Sequence, residues 1–178
     1  ATCPKLIAPA MNVNMYDNLA TQRNIERCKT YGIKFVEPGY GLLACGDTGR
    51  GKLSDLDHIL TMIDYCLSDK PLKNQRILIT AGPTQEPLDP VRYITNHSSG
   101  KMGYALCKRA FEMGAKVTLV TGPTTLKHPY GIKVIEVKSA LEMFEAVKDN
   151  YQKQDFIIKA AAVGDYRVKE IASEKIKK

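Results

Sequence analysis

The sequence predicts an α/β protein in two parts, with a mostly parallel sheet in the second. Short apolar runs of strand length alternate with amphipathic stretches of helix length, which implies βαβ units. Glycine or proline punctuates the ends of these runs. A polar stretch, Ser68-Asp69-Lys70-Pro71-Leu72-Lys73-Asn74, divides the chain. Residues 1–70 and 71–178 are therefore expected to belong to different domains.

In the first part, Leu6-Ile7-Ala8 reads as the tail of a buried strand entering a loop at Pro9. Residues 17–31 read as a helix, with Gly32 at the stop position where a left-handed residue closes the last turn. Residues 33–36 resume a strand, and a glycine-rich loop follows over 38–51. Ser54 and Asp57 have the spacing of a capping box, and Leu56, Ile59, Leu60, Ile63 and Leu67 then repeat at helical spacing.

The second part opens with a short apolar strand over 76–80 and a long loop over 81–99. A helix starts at Gly100 and stops at Gly114. A strand over 116–121, a Gly122-Pro123 turn and a strand over 132–137 come next. Ser139 and Glu142 cap a helix on which Ala140, Phe144, Val147 and Tyr151 share a face, and 155–161 is the last strand. Both ends of the chain interrupt a pattern, so the sequence is expected to be a fragment.

Composition narrows the function classes. A content of 44% hydrophobic and 25% charged residues is that of a globular protein. No apolar run approaches the roughly 20 residues that span a bilayer. Ala1-Thr2-Cys3-Pro4-Lys5 lacks the layout of a secretory signal, so a cytoplasmic location is expected. The five cysteines are widely spaced with no C-x-x-C pair, and the three histidines are far apart, which argues against a zinc site and a disulfide framework. Most of the thiols are expected in the core, Cys45 excepted. The net charge of +7 raises nucleic acid as a partner. However, the basic residues are scattered apart from Lys175-Ile176-Lys177-Lys178, without interleaved aromatics. Small phosphorylated ligands explain the charge at least as well.

Several segments have the residue types that chemistry needs. Gly82-Pro83-Thr84 after a strand, and Asn96-His97-Ser98-Ser99-Gly100-Lys101-Met102-Gly103 opening a helix, let backbone amides approach a phosphate. The spacing is not G-x-G-x-x-G, and a turn-rich loop with a helix cap is the plainer alternative. The run from Ala160 and Ala161 to Asp165 leaves a buried strand at the carboxyl edge where ligands of open α/β sheets bind. Asp165 there is either a ligand to a metal or ribose, or a loop cap. The terminal lysines are either a solvated face or the neutralising charge beside a triphosphate. In the first part, Asn12 and Asn14 offer amides to a carboxylate beside Met11 and Met15, or form an asparagine turn. Cys45 lies in the glycine-bounded loop 41–51, where it is either an acid or nucleophile on a closing loop, or incidental.

Taken in order, P-A-M-N-x-x-M, L-A-C-G-D-x-G-x-G, T-A-G-P-T-x-E-P-x-D-P-V-R-Y-I-T-N-H-S-S-G-K-M-G, A-A-V-x-D-Y-R and K-I-K-K resemble the bifunctional phosphopantothenoylcysteine decarboxylase and phosphopantothenate–cysteine ligase of coenzyme A biosynthesis. The resemblance covers essentially the whole chain and is strongest over 80–103. It implies the C-terminal part of a flavodoxin-like flavin decarboxylase domain, followed by the Rossmann-like start of a CTP-dependent ligase domain. The ligase activates the carboxylate of 4′-phosphopantothenate with CTP and Mg²⁺ as an acyl-cytidylate, which cysteine's amine converts to the amide. The decarboxylase uses FMN to oxidise the thiol of that product, CO₂ is lost, and the enethiol is reduced to 4′-phosphopantetheine.

The resemblance also implies roles. Asn12 contacts the substrate carboxylate, with Met15, Ala44 and Gly46 around the substrate, and Cys45 on a covering flap donates the proton of the final reduction. Asn96 serves conversion of the acyl-cytidylate. Gly82, Ser98, Ser99, Gly100, Met102 and Gly103 cradle phosphates. Lys159, Ala160 and Ala161 face the cytosine, Asp165 the ribose or Mg²⁺, and Lys175 the triphosphate. Lys159 and Gly164 depart from the family pattern, which has a small or apolar residue and an alanine there. Most FMN contacts and the family's catalytic histidine are expected before Ala1, and further ligase contacts after Lys178. The resemblance further implies homo-oligomers, small-molecule substrates, and neither nucleic-acid nor membrane partners.

Two other readings stay open on residues alone. A nicotinamide-dependent reductase on the same plan lacks an acidic ribose ligand at the end of the 116–121 strand. A non-catalytic basic module would bind polynucleotides with steep salt dependence.

Overall fold

The computed structural model describes residues 2–177; Lys178, counted with the terminal lysines, lies outside the described residues. The chain divides into two compact units, Ala1–Ser68 and Asp69–Lys178.

In the first unit, β1 (Leu6–Ile7) pairs in parallel with β2 (Lys34–Phe35). Between them come a short helix, α1 (Val13–Tyr16), and α2 (Leu19–Thr30). The expected helix over 17–31 thus begins two residues late. Asn18 is its N-cap and its side chain accepts from Ala20 N–H, whereas Asp17 is the C-cap that closes α1.

The expected loop over 38–51 is instead an antiparallel hairpin of β3 (Gly39–Leu42) and β4 (Thr48–Lys52). Its glycines are what hid it, since they carry no alternation of apolar and polar side chains. They are also what packs it. Residues two apart point to one face of a strand, and Gly49 and Gly51 are the buried positions of β4. A Cβ on Gly49 would meet Val13 Cγ2 at 2.7 Å, and one on Gly51 would meet the Met11 carbonyl oxygen at 2.1 Å. Met11 N–H donates to the Gly51 carbonyl at 2.9 Å. The hairpin therefore lies flat on residues 11–13.

The last helix of this unit, α3 (Leu56–Leu67), has Asp55 as N-cap, without a side-chain cap bond. The expected Ser54/Asp57 capping box does not form; Ser54 Oγ instead lies 3.4 Å from His58 Nδ1. The apolar repeat gives the helix, but only Met62 on it is buried, and Leu56, Leu60, Ile63 and Leu67 are exposed.

The second unit is built on a four-stranded parallel sheet in the order β10-β5-β8-β9, with β5 (Arg76–Ala81), β8 (Lys116–Thr121), β9 (Lys133–Glu136) and β10 (Phe156–Lys159). Its central strands are buried on both faces, hence their unbroken apolar runs. Ile77, Ile79 and Ala81 of β5, with Val117 and Leu119 of β8, face α4 (Lys101–Glu112) and pack on Tyr104, Cys107 and Ala110. The alternate positions Leu78 and Val120 pack on Val137 and on Met143 of α5 (Ala140–Asn150).

Ser139 caps α5 as expected, accepting from Glu142 N–H at 3.2 Å. The expected shared face of Ala140, Phe144, Val147 and Tyr151 is not the one buried. Met143 is buried, with Ala146 and Val147 beside it, whereas Phe144 and Tyr151 are exposed. The expected core thiols are also fewer than the sequence implied: Cys107 is buried, Cys28 and Cys66 are half-buried, and Cys3 and Cys45 are exposed. Burial pushes the Cys107 thiol up to about 12, so it stays protonated and inert.

The expected loop over 81–99 contains a second hairpin, β6 (Gln85–Asp89) and β7 (Arg92–Thr95). No helix of the described residues is long and apolar enough to cross a membrane. Leu119 has no exposed surface and sits in the α4-facing core. Leu119→Ala should therefore cost about 2–5 kcal/mol, as lost transfer energy plus a cavity, in urea unfolding. A loss below about 1 kcal/mol would show that this strand is not the centre of the core.

Candidate functional sites in the two units

In the first unit the β3–β4 hairpin carries Ala44, Cys45 and Gly46 in its turn. Gly46 takes the left-handed φ of +88° that closes the turn, and its N–H donates to the Leu43 carbonyl at 2.9 Å. Asn12 caps α1 by accepting from Asn14 N–H at 2.8 Å, which leaves its Nδ2 to point at the turn. That nitrogen donates to Cys45 Sγ at 3.1 Å and to Asp47 Oδ2 at 2.9 Å, and Cys45 Sγ donates to the same oxygen at 3.5 Å. One amide, one thiol and one carboxylate thus meet at the mouth of a cleft of about 440 Å³ walled by Met11, Leu42, Leu43 and Leu53. Asn12, Ala44 and Cys45 line the cleft. Met15 is exposed on α1 and Gly46 sits in the turn, both outside that lining. Asp47, whose carboxylate joins the cluster, carries no signal of that partnership in the sequence pattern.

In the second unit the site gathers at the carboxyl ends of β5 and β10. β5 has β8 on one side and β10 on the other, so the chain reverses its winding between β5 and β10, where open α/β sheets take ligands. The pairing continues past both strands. Ala162 N–H donates to the Gly82 carbonyl at 2.9 Å, Thr84 N–H to the Ala162 carbonyl at 3.1 Å, and Gly164 N–H to the buried Thr84 Oγ1 at 2.8 Å. Asn96 follows β7, and its Nδ2 donates to the carbonyls of Ala162 and Val163 at 3.3 and 3.2 Å. Asn96, Gly82 and Ala160–162 are therefore brought together, with Asp165 exposed on the next turn of the loop.

The N-terminus of α4 opens beside them. Gly100 is its N-cap with φ of +74° and no side-chain cap bond. The Cβ position of Gly100 lies 3.3 Å from the Cα of Gly82, which itself has φ of +72°. Gly103 presses on β5, where a Cβ would meet that of Ala81 at 2.5 Å. Ser98 Oγ accepts from Gly100 N–H at 3.4 Å, and Ser99 and Met102 are exposed. The first-turn amides of α4 are thus free for an anion. By contrast α5 is filled: Ser139 caps it, and the buried Glu86 carboxylate accepts from Ala140 N–H at 2.8 Å.

Lys159 pairs with Thr80 on the outer strand of this sheet and is exposed. Lys175 is also exposed and makes no hydrogen bond or ion pair among the described residues. Its neighbour Ile176 is fastened to the β6–β7 hairpin: Ile176 N–H donates to Asp89 Oδ2 at 3.1 Å, and Arg92 Nη2 donates to the Ile176 carbonyl at 2.8 Å. The Arg92 guanidinium also grips Asp89 Oδ2 through Nε at 2.8 Å and Nη2 at 2.6 Å. A cleft of about 430 Å³ beside this hairpin is lined by Glu86, Asp89, Arg92, Lys138 and Arg167. Sequence reading gave no role to Glu86, Asp89 or Arg92. The Asp-Pro turn signal in D-P-V-R marks the turn but not what it holds. No group of three or more metal-ligating side chains forms among the described residues.

Two family models match the chain: the flavoprotein model over residues 1–68 and the DNA/pantothenate metabolism flavoprotein C-terminal domain over 72–178. A coenzyme A biosynthesis bifunctional protein CoaBC of Vibrio vulnificus is 48% identical over 175 residues, covering 98% of this chain and 44% of its own length. The Bacillus subtilis protein of the same name is 46% identical, covering 100% of this chain and 45% of its own. The chain thus spans less than half the length of these relatives. A crystal structure of the C-terminal domain of a CoaBC protein superposes with a TM-score of 0.54 at 55% identity, covering 56% of this chain and 50% of that one. These relatives support neither a nicotinamide-dependent reductase nor a nucleic-acid-binding module.

The Arg92 guanidinium and three backbone amides hold the Asp89 carboxyl well below the usual carboxylate range. The folded state therefore binds that proton more weakly than the unfolded chain. Its stabilisation is complete above the unfolded value, near about 4, and fades as pH falls below it. Thermal unfolding from pH 6 downward should show a falling midpoint, with a shallower fall in Asp89→Asn. Equal slopes would remove Asp89 from the acid response.

Proposed function

This chain belongs to the DNA/pantothenate metabolism flavoprotein family, and we propose that it carries parts of two coenzyme A biosynthetic sites, a phosphopantothenoylcysteine decarboxylase in its first unit and a phosphopantothenate–cysteine ligase in its second. The observation that supports the ligase reading most is the contrast between helix ends. The N-terminus of α4 is uncapped above a cradle of Gly82 and Gly100, while that of α5 is filled by Glu86 and Ser139. A helix N-terminus acts as roughly half a positive charge, so a phosphate chain seats on α4 and is repelled at α5.

On this reading Ser98, Ser99, Gly100, Met102 and Gly103 face phosphates, Lys175 adds charge at the triphosphate, and Lys159, Ala160 and Ala161 face the base. Asn96 donates to the reacting acyl carbonyl as charge grows on it. Its amide spans to two loop carbonyls here, so it is held at the crevice. A single exposed carboxylate, Asp165, suits Mg²⁺, which takes one or two carboxylates and completes its shell with phosphates and water. CTP is the co-substrate by resemblance to the family.

For the decarboxylase, the bound flavin supplies two-electron oxidation and reduction. The residues of this chain supply the substrate side: Asn12 offers its amide to the substrate carboxylate, and Cys45 gives a proton to the carbon reduced last. The contact of Asn12 Nδ2 with the Asp47 carboxylate supports the first role, because that donor already binds a carboxylate. Apolar walls, one amide and one thiol fit the substrate half of a flavin site. Homo-oligomer formation and a cytoplasmic location belong to the same reading.

In the full-length protein, Cys45→Ala should abolish 4′-phosphopantetheine formation while amide formation with CTP continues; unchanged decarboxylation would remove the acid role. Asn96→Asp should accumulate acyl-cytidylate, detectable by mass spectrometry, at the expense of the amide. Turnover at the unmodified rate would remove Asn96 from the reaction.

A further inference from the structure

The ligase reading gives Lys175 a charge to deliver but not the means by which it is delivered. From residue 163 to residue 177 the chain forms no helix or strand, so its position rests on individual bonds. Two of these flank Lys175: Ala172 N–H donates to the Leu88 carbonyl at 3.1 Å, and Ile176 N–H donates to Asp89 Oδ2 at 3.1 Å. The Arg92 guanidinium closes the second by bridging Asp89 Oδ2 and the Ile176 carbonyl. The side chain of Asp89 has no exposed surface, although it carries a charge.

The two oxygens of that carboxylate divide their work. Oδ1 accepts from the Val91 and Arg92 amides and builds the hairpin turn; Oδ2 takes Arg92 and the distant Ile176. A turn needs only the first of these, and an asparagine would serve it. The buried charge and its second oxygen are accounted for by the segment they hold.

On the ligase reading, we infer that Asp89 is a positioning residue that fastens the Lys175 segment to the β6–β7 hairpin and so fixes the Lys175 ammonium for the nucleotide step. Asn96 directly follows β7 on the same hairpin, so one rigid element sets the place of the acyl-transfer amide and of the cation. Arg92 shares the latch, and its charge stays in place only while Asp89 opposes it.

The test separates the two half-reactions in the full-length protein. Asp89→Asn keeps an acceptor for the turn and loses the one for Ile176 and Arg92. It should slow acyl-cytidylate formation from CTP by about tenfold or more, while amide formation from supplied acyl-cytidylate and cysteine stays within about twofold. A merely structural defect would slow both. Lys175→Gln should give the same split, and the double variant should lose no more than Lys175→Gln alone, because the two residues act as one unit. Losses that multiply in the double variant would overturn the proposal. If Asp89→Asn does not fold, Ile176→Pro, which removes one N–H from an exposed position, must show the same split, and its absence overturns the proposal equally. An unmodified protein that forms no acyl-cytidylate would refute the ligase reading and the latch with it. Normal turnover that Asp89→Asn leaves untouched refutes the latch alone.

Discussion

The parallel pairing of β5 with β10 does not stop at the strand ends, and the second unit's site depends on that continuation. Hydrogen bonds between parallel strands are evenly spaced and slanted. Here the ladder passes through Gly82, Thr84 and Ala162 into segments that would otherwise be loose loops. Three consequences follow from the same bonds. Gly82 is held within van der Waals reach of Gly100, the Ala162 and Val163 carbonyls are presented to Asn96, and Gly164 is pinned to Thr84 one residue before Asp165. Gly164 sits where a Cβ would approach Glu86 Cγ to 3.0 Å. A methyl group there asks Glu86 to shift by a few tenths of an ångström.

Glu86 links this crevice to the choice between the two helices. A carboxylate with almost no exposed surface is costly unless hydrogen-bonded. Its partner is the first amide of α5, where a negative charge also gains from the helix dipole. Ser139 takes a further amide of the same turn, so two of the first-turn amides of α5 are already committed to side chains of the protein, one of them a carboxylate. At the opposite end of the sheet, the Arg76–Asp155 pair joins the starts of β5 and β10 with bonds of 2.8 to 3.2 Å. It fixes register far from the crevice and needs no chemical role.

The regular parts of this fold were legible because burial on both faces leaves a strong signal. Runs such as Arg76–Ala81 and Lys116–Thr121 have few readings other than central parallel strands. Both hairpins were invisible for the opposite reason. β3 and β4 are half glycine, and β6 contains Pro87 and ends before Pro90, so neither shows alternation. The apolar repeat of α3 gave the correct helix, but Leu56, Leu60 and Leu67 on it are not buried, since period reports a face and not its cover. Among site residues, Asn96, Cys45 and the glycines stood out through motif and family resemblance. Thr84, Glu86, Asp89 and Arg92 did not, because their partners lie up to 87 residues away in sequence. Local pattern carries no trace of such a pairing.

The two sites also differ in what they are made of, and the difference bears on how charge is handled. The first unit builds with side chains: Asn12, Cys45 and Asp47 converge within 3.5 Å on a turn that glycines let settle onto residues 11–13. The second builds its cradle from backbone, where any side chain on Gly82 or Gly103 would collide with neighbours. Backbone amides bring only partial charge, whereas a triphosphate carries several full ones. The remainder has to come from cations whose side chains stay free to follow charge as it moves between phosphates. A lysine can meet both demands only if it is held by its main chain and not by its ammonium group. Lys175 meets both demands: its own side chain makes no hydrogen bond or ion pair among the described residues, while its neighbour Ile176 is locked in place. On the ligase reading, a buried aspartate on a hairpin thus serves the nucleotide step without touching the nucleotide.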